Sequence, residues 1–292
     1  MLKILILFVL AALPVFLIGT YIYNKDKNKE PKQLLINLFF YGIMSSFLVI
    51  IISDLMRIVI PFLQKDVEAM NYFEVFFYSF IGVALVEECC KWYYVHNVGY
   101  KSRTFDEKYD IIVYSVFVSL GFAFFENVLY VFGNQSVLVA LTRAILAVPG
   151  HACDAIFMGY YLTLAKQANI QKNKELETKN KIKSILVPTI LHGIYDFCLF
   201  VQDDNYITIF FAFVVILYIA SVSKIKKLAS TNSNYYYNTN SNVYNGYSQI
   251  SQINNQQPSQ ANYQQAQIQK QYCTNCGAVM IGLFCVRCGK RQ

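Results

Sequence analysis

Long apolar runs separated by short polar segments dominate the chain up to about residue 223. A bilayer core of about 30 Å needs roughly 20 apolar residues per helix. Seven runs approach or exceed that length, at about 2–23, 34–56, 73–95, 109–133, 137–165, 184–201 and 206–223. The first run follows Lys3, as a signal peptide would. No convincing small-x-small cleavage site follows it, and Tyr21-Ile22-Tyr23 reads as an interfacial aromatic belt, so it is predicted to be a span. The fifth run is long enough to tilt, and Pro149-Gly150 predicts a kink within it. The expected fold class is therefore all-α: a polytopic transmembrane helical bundle over residues 1–230.

Composition supports this. Of 292 residues, 55% are hydrophobic and only 15% charged, against roughly 25% charged in an ordinary soluble domain; the mean hydropathy is +0.35. The net charge of +7 is informative chiefly through its location. Lys25, Lys27, Lys29 and Lys32 lie in one connection, Lys101, Arg103 and Lys108 in another, six lysines in 166–183, and Lys224, Lys226 and Lys227 after the last span. The alternate connections are poor in bases, with Arg57 and Lys65 in one, none in 133–136, and Asp203-Asp204 in another. The bias predicts an N-out, C-in protein of the cell membrane with a cytoplasmic C-terminal tail. No nucleic-acid partner is needed to explain the charge.

Residues 231–271 form an Asn/Gln/Ser/Tyr-rich linker. Between 231 and 270, nine Asn, nine Gln, six Tyr and five Ser leave Lys270 as the only charge. Such a segment buries too little apolar area to offset ordering entropy and is expected to be a disordered tether. Cys273-Thr274-Asn275-Cys276-Gly277 and Cys285-Val286-Arg287-Cys288-Gly289 follow, within 272–292. Two C-x-x-C-G knuckles suit four thiolates around one Zn²⁺, so Cys273, Cys276, Cys285 and Cys288 are expected to hold structural zinc in a small ribbon. Two disulfides are the alternative, opposed by a reducing cytoplasm. A closed four-cysteine site fits docking to a cytoplasmic protein, or sensing, better than catalysis.

Charged side chains inside a span are costly and mark candidate functional sites. Nine ionisable groups within the third to sixth apolar runs stand out: Glu87, Glu88, Lys91, Glu126, Arg143, His151, Asp154, His192 and Asp196. Glu87 and Lys91 are four apart and share a helix face, so Lys91 is expected to pair with one carboxylate while Glu88 points elsewhere. His192 and Asp196 are also four apart, which lets the carboxylate orient the imidazole. His151 and Asp154 suggest the same pairing at three apart. Glu126 and Asn127 set a carboxylate beside an amide. Arg143 is read as structural or interfacial, His96 as incidental, and Cys89, Cys90, Cys153 and Cys198 as small buried hydrophobes.

Together these segments resemble the PrsW family of intramembrane proteases. The resemblance rests on Glu87-Glu88-x-x-Lys91, Phe122-x-x-x-Glu126-Asn127, Pro149-Gly150-His151 with Gly159-Tyr160-Tyr161, and His192-x-x-Tyr195-Asp196, and it covers about residues 70–205. The pattern is also similar to that of CAAX-processing and bacteriocin-processing membrane proteases. The resemblance implies a helical bundle that hydrolyses a peptide bond of a membrane-anchored substrate, typically an anti-sigma factor. It carries the family's functional glutamates onto Glu87 and Glu88 and its late histidine onto His192. The linker and cysteine-rich tail are departures that the core family does not require.

Two adjacent carboxylates in low dielectric do not both ionise easily, which suits one of them to general acid/base work. The expected mechanism has Glu87 or Glu88 activating water, Lys91 tuning the pair, and His192, oriented by Asp196, moving a proton. Asn127 is the expected oxyanion donor, and His151 either assists it or completes a metal site. The competing mechanism places a catalytic metal on His151, His192 and Glu126. No H-E-x-x-H motif occurs. Rival functions are a zinc-ribbon sensor or scaffold that has lost activity, and a proton-coupled transporter. One tension remains: the third span, ended at 95, leaves the glutamate pair only seven or eight residues from its cytoplasmic end.

Overall fold

The computed structural model describes residues 2–102 and 104–230. Among these residues every regular element is helical. That is the expected solution for a chain of apolar runs, because a helix satisfies its backbone polar groups internally. The helices are α1 (Leu2–Lys25), α2 (Lys32–Val59), α3 (Tyr72–Phe77), α4 (Val86–Tyr94), α5 (Asp110–Asn134), α6 (Val137–Ile145), α7 (Ala147–Ile170), α8 (Lys174–Phe200) and α9 (Asp204–Ser230). Six helical stretches, with α6 and α7 forming one, are long and apolar enough to cross a membrane.

The stretch expected as the third span is built differently. Residues 72–100 are helical throughout but change gauge: α3 widens into a π-helix at Tyr78–Leu85, tightens into α4, and widens again at Val95–Tyr100. Asn71 opens it with a capping box, accepting from the Phe73 and Glu74 amides while Glu74 accepts from its own. The helix runs on to Tyr100, five residues past the expected end. Glu87 is thus 15 residues beyond Tyr72, and Glu88 is 12 before Tyr100. The pair sits near mid-helix, farther from the helix end than the shorter boundary placed it.

Two other boundaries differ from expectation. Helix α8 begins at Lys174, ten residues before the apolar run, because its charged first turns are good helix formers and Asn173 caps them by accepting from the Leu176 amide. The interruption expected at Pro149-Gly150 falls instead at Leu146, between α6 and α7. A proline ring clashes with the carbonyl four residues earlier, here that of Ile145, while its own missing N–H costs nothing in the first turn of α7. The Ile145 carbonyl freed at the break is satisfied from α9, where the Tyr218 hydroxyl donates to it at 2.7 Å, while the Leu146 carbonyl accepts from the Gly150 amide at 2.9 Å.

Helix α5 is the axis of the bundle. In its apolar window 72% of residues are buried, against 22% in α1 and in α9. Lipid offers no hydrophobic drive for helix association, so close backbone approach does the packing. A Cβ on Gly42 of α2 would lie 1.9 Å from the Val118 carbonyl oxygen, and one on Gly121 of α5 would lie 1.9 Å from that of Phe39. On the other side, a Cβ on Gly159 of α7 would lie 2.8 Å from the Ile112 Cα. Phe16, Ile58, Leu138 and Ile219 point outward, as lipid-facing residues do. Cys89, Cys90, Cys153 and Cys198 are free thiols, buried or half-buried as expected. The linker and the four tail cysteines lie outside the described residues.

Candidate active site

Five helices, α4 to α8, bring their polar groups together inside this bundle. The π-helical turns of Tyr78–Leu85 lead directly into α4, whose first turn carries Glu87 and Glu88. Helix α8 is pressed against these turns: a Cβ on Gly193 would lie 2.4 Å from the Phe80 ring, so glycine beside His192 is what permits the approach. Wide π turns recur at functional sites in other proteins, and here one aims the glutamate pair.

Lys91 is the hub. Its ammonium is buried and lies 3.2 Å from Glu87 Oε2, 2.8 Å from Glu88 Oε1 and 3.2 Å from His151 Nδ1. The Phe122 ring covers it at 4.1 Å from the centroid. Lys91 therefore holds both carboxylates, where the sequence suggested only one. An ammonium can only donate, so Nδ1 of His151 must accept, which leaves Nε2–H to donate to Glu126 Oε2 at 2.8 Å. His151 thus pairs with Glu126, not with Asp154 as its spacing suggested. Ser119 donates to the His151 carbonyl at 2.8 Å and fixes the start of α7 on α5.

His192 is held on both ring nitrogens. Nδ1 is 3.0 Å from Glu88 Oε1 and 4.0 Å from Asp154 Oδ2, while Nε2 is 3.4 Å from Asp196 Oδ2 and 3.9 Å from Glu87 Oε2. The two imidazoles meet edge to face at 5.3 Å. Arg143, read from sequence as structural, joins the site: Nη2 donates to Glu126 at 2.7 Å and Nε to Asn127 at 3.0 Å. Asn127 does not serve as expected, for its amide donates to the Ala11 carbonyl of α1 at 3.0 Å, and it does not line the cavity. The charge of Arg143 and Asp154 within apolar runs marked both from the sequence, but not their partners: Arg143 meets Glu126, and Asp154 lies nearest His192.

A cavity of about 470 Å³ opens onto this network. Glu87, Glu126, Arg143, His151, Asp154, His192 and Asp196 all line it, together with the apolar and aromatic walls of Tyr78, Tyr130 and Leu217. Glu88 and Lys91 do not line it and stand behind Glu87 and His192. A polar cavity walled by apolar helices, with carboxylate, imidazole and guanidinium groups converging on it, defines a membrane-embedded protein equipped for acid/base chemistry.

Comparison with known proteins narrows that class. The model of the PrsW family intramembrane metalloproteases matches residues 30–222. A protease PrsW of Clostridioides difficile (strain 630) is 33% identical over 225 residues, 76% of this chain and 90% of the relative. One from Oceanobacillus iheyensis is 36% identical over 215 residues, covering 73% and 92% of the two chains. One from Bacillus subtilis (strain 168) is 35% identical, covering 73% and 91%. No solved structure gives a significant match. The chain belongs to the PrsW family and is a membrane protein of the intramembrane protease class.

The family description names a metal. Glu87, Glu88, His151 and His192 each offer one donor atom, all within 4.8 Å of one another. That carboxylate and imidazole set has suitable chemistry for zinc, manganese or iron. Three of the four residues, however, already contact the Lys91 ammonium. An ion at about 2.0–2.2 Å from the same acceptors would set two cations side by side. The arrangement does not fit a metal alongside Lys91.

Proposed function

We propose that the protein hydrolyses a peptide bond of a membrane-anchored substrate with a water activated by Glu87. The observation that carries this reading is the division of labour in the glutamate pair: Glu87 lines the cavity, whereas Glu88 is wholly buried behind it against Lys91 and His192. Glu87 takes a proton from water as the oxygen attacks the scissile carbonyl carbon. Arg143 is the cavity-lining cation for the developing oxyanion. When the C–N bond breaks, His192 passes a proton from Nε2 to the leaving amine. The 3.9 Å approach of Nε2 to Glu87 then offers a short route for the proton to return. Glu88 and Asp196 orient the ring and Lys91 orients both glutamates. Removal of such an acid/base group costs typically 10²–10⁴-fold in rate.

The substrate is an anti-sigma-factor-like membrane protein on this reading, which rests on the family resemblance alone. The lysine bias supports a cytoplasmic C-terminus, and the two C-x-x-C-G knuckles support a structural zinc site at Cys273, Cys276, Cys285 and Cys288. The deciding experiment co-expresses the protein with candidate membrane-anchored substrates and compares wild type with Glu87→Ala/Glu88→Ala. Cleavage that persists in the double variant overturns the assignment. Chelation of a Cys273→Ser/Cys276→Ser variant separates the metal mechanism from this one: loss of cleavage there, restored by added metal, favours the metal.

A further inference from the structure

A second group of acids is buried elsewhere in the molecule, and the proposed reaction does not use it. Asp26 and Glu30 lie in the connection between α1 and α2, and Asp110 is the first residue of α5. Their carboxylates each place an oxygen within 4.8 Å of the others. All three are buried, at 2%, 6% and 1% exposure. Glu107, also buried, accepts from the Asn28 side-chain amide and so ties the two loops together.

The hydrogen bonds of this cluster are incomplete. Asp110 Oδ2 accepts from the Asp106 and Glu107 amides at 3.0 and 2.7 Å, and Glu30 Oε2 accepts from the Tyr114 hydroxyl at 2.6 Å. Asp110 Oδ1 and both carboxylate oxygens of Asp26 are buried with no well-formed hydrogen bond, the Asn28 and Glu30 backbone amides offering Asp26 only weak ones. The nearby Lys29 ammonium is engaged by the main-chain carbonyls of Tyr23 and Asp26. No salt bridge reaches Asp26, Glu30 or Asp110 among the described residues. Buried charges are ordinarily paired or bound to metal.

We propose that Asp26, Glu30 and Asp110 form a binding site for one hard divalent cation, of the calcium, magnesium or manganese type. Three carboxylates from two segments offer the all-oxygen donor set such ions prefer, with water completing the shell. Thiols and imidazoles, the donors zinc favours, do not belong to the group. Bound there, the ion clamps the α1–α2 connection to the start of α5, the bundle's axis, and so acts on the fold without touching the catalytic cavity.

The test is manganese binding by the full chain, purified in detergent and stripped with chelator, read by electron paramagnetic resonance at pH 7.5. Wild type should take up one Mn²⁺ that excess Ca²⁺ or Mg²⁺ displaces. Asp26→Asn/Asp110→Asn should lose that equivalent, while Glu87→Gln/Glu88→Gln keeps it. The ion should raise the wild-type Tm by roughly 5–10 °C at about a hundred times its Kd and leave the Asp26→Asn/Asp110→Asn variant unmoved. Wild type without a displaceable equivalent overturns the proposal, as does an unchanged equivalent in the variant. If the double variant fails to fold, Glu30→Gln, which keeps an acceptor for Tyr114, must still weaken manganese binding. A wild type whose Tm ignores the cations but climbs as pH falls means that protons neutralise the cluster, and the cation site is wrong.

Discussion

Two buried carboxylate clusters occupy the same bundle and handle their charge in opposite ways. In and behind the cavity wall, Glu87, Glu88 and Glu126 are met by Lys91, Arg143 and two imidazoles, so most close contacts join groups of opposite sign or complementary hydrogen-bonding role, although Glu88 Oε2 and Asp154 Oδ1 lack a hydrogen bond. At the loop end, Asp26, Glu30 and Asp110 face one another with oxygens left without partners. The first network carries its own cations and is therefore set by the chain alone. The second needs something from outside, a proton or an ion. Buried acids can thus belong to a self-contained reaction site or to a site that answers to solution conditions, and the countercharges tell which.

The sharpest way to break this contrast is to remove the hub. Lys91→Ala leaves two buried carboxylates without their cation and should destabilise the protein by about 3–5 kcal/mol, with cleavage abolished; thermal unfolding in detergent measures the first effect. An unchanged Tm would mean the cavity is wetter than its packing indicates. His192→Gln comes next, expected to slow cleavage by roughly 10²–10⁴-fold with little change in Tm, as measured by initial rates on a purified substrate. Gly121→Val follows, since its Cβ would meet the Phe39 carbonyl; overpacking of this kind costs about 1–3 kcal/mol and should lower Tm without altering the pH profile of cleavage.

The smallest expected effect concerns the loop cluster. A carboxyl raised by burial binds protons more tightly in the folded state, so folding stability falls as pH rises from the unfolded value to the folded one. For Asp26 and Glu30 that window runs from about 4 up to about 6 and about 7. In chelator, Tm should decline across this range, and Asp26→Asn should flatten the decline and raise Tm at pH 7.5 by roughly 2–4 °C, the equivalent of about 1 kcal/mol. A variant that melts lower than wild type in chelator would show that the carboxylate is already well paired.

Much of the bundle was legible because lipid imposes a length on each apolar run, and much of the site because intramembrane charge is rare. Glu87, Glu88, Lys91, Glu126, His151, His192 and Asp196 do converge. Partner choice was less legible, since spacing along one helix says nothing of what another helix brings. His151 therefore looked bound to Asp154 when it meets Glu126, and Asn127 looked free when α1 engages it. Helix ends escaped for a different reason: apolarity marks where lipid stops, whereas charged turns such as those from Lys174 remain helical in water. The loop cluster escaped because Asp26 and Glu30 are ordinary loop charges, and Asp110 an ordinary first-turn helix charge, until the fold buries them. The π turns left no pattern in the sequence.

Those π turns have one further consequence. An α-helix rotates by about 100° for each residue, and a wide turn holds an extra residue without lengthening the helix in proportion. The stretch Tyr78–Leu85 therefore works as a slack link just below Glu87. It can give up one residue, tighten to α-helical pitch and leave the glutamate pair facing His192, whereas the same deletion in an ordinary α-helical turn would rotate the pair by about a quarter of a revolution.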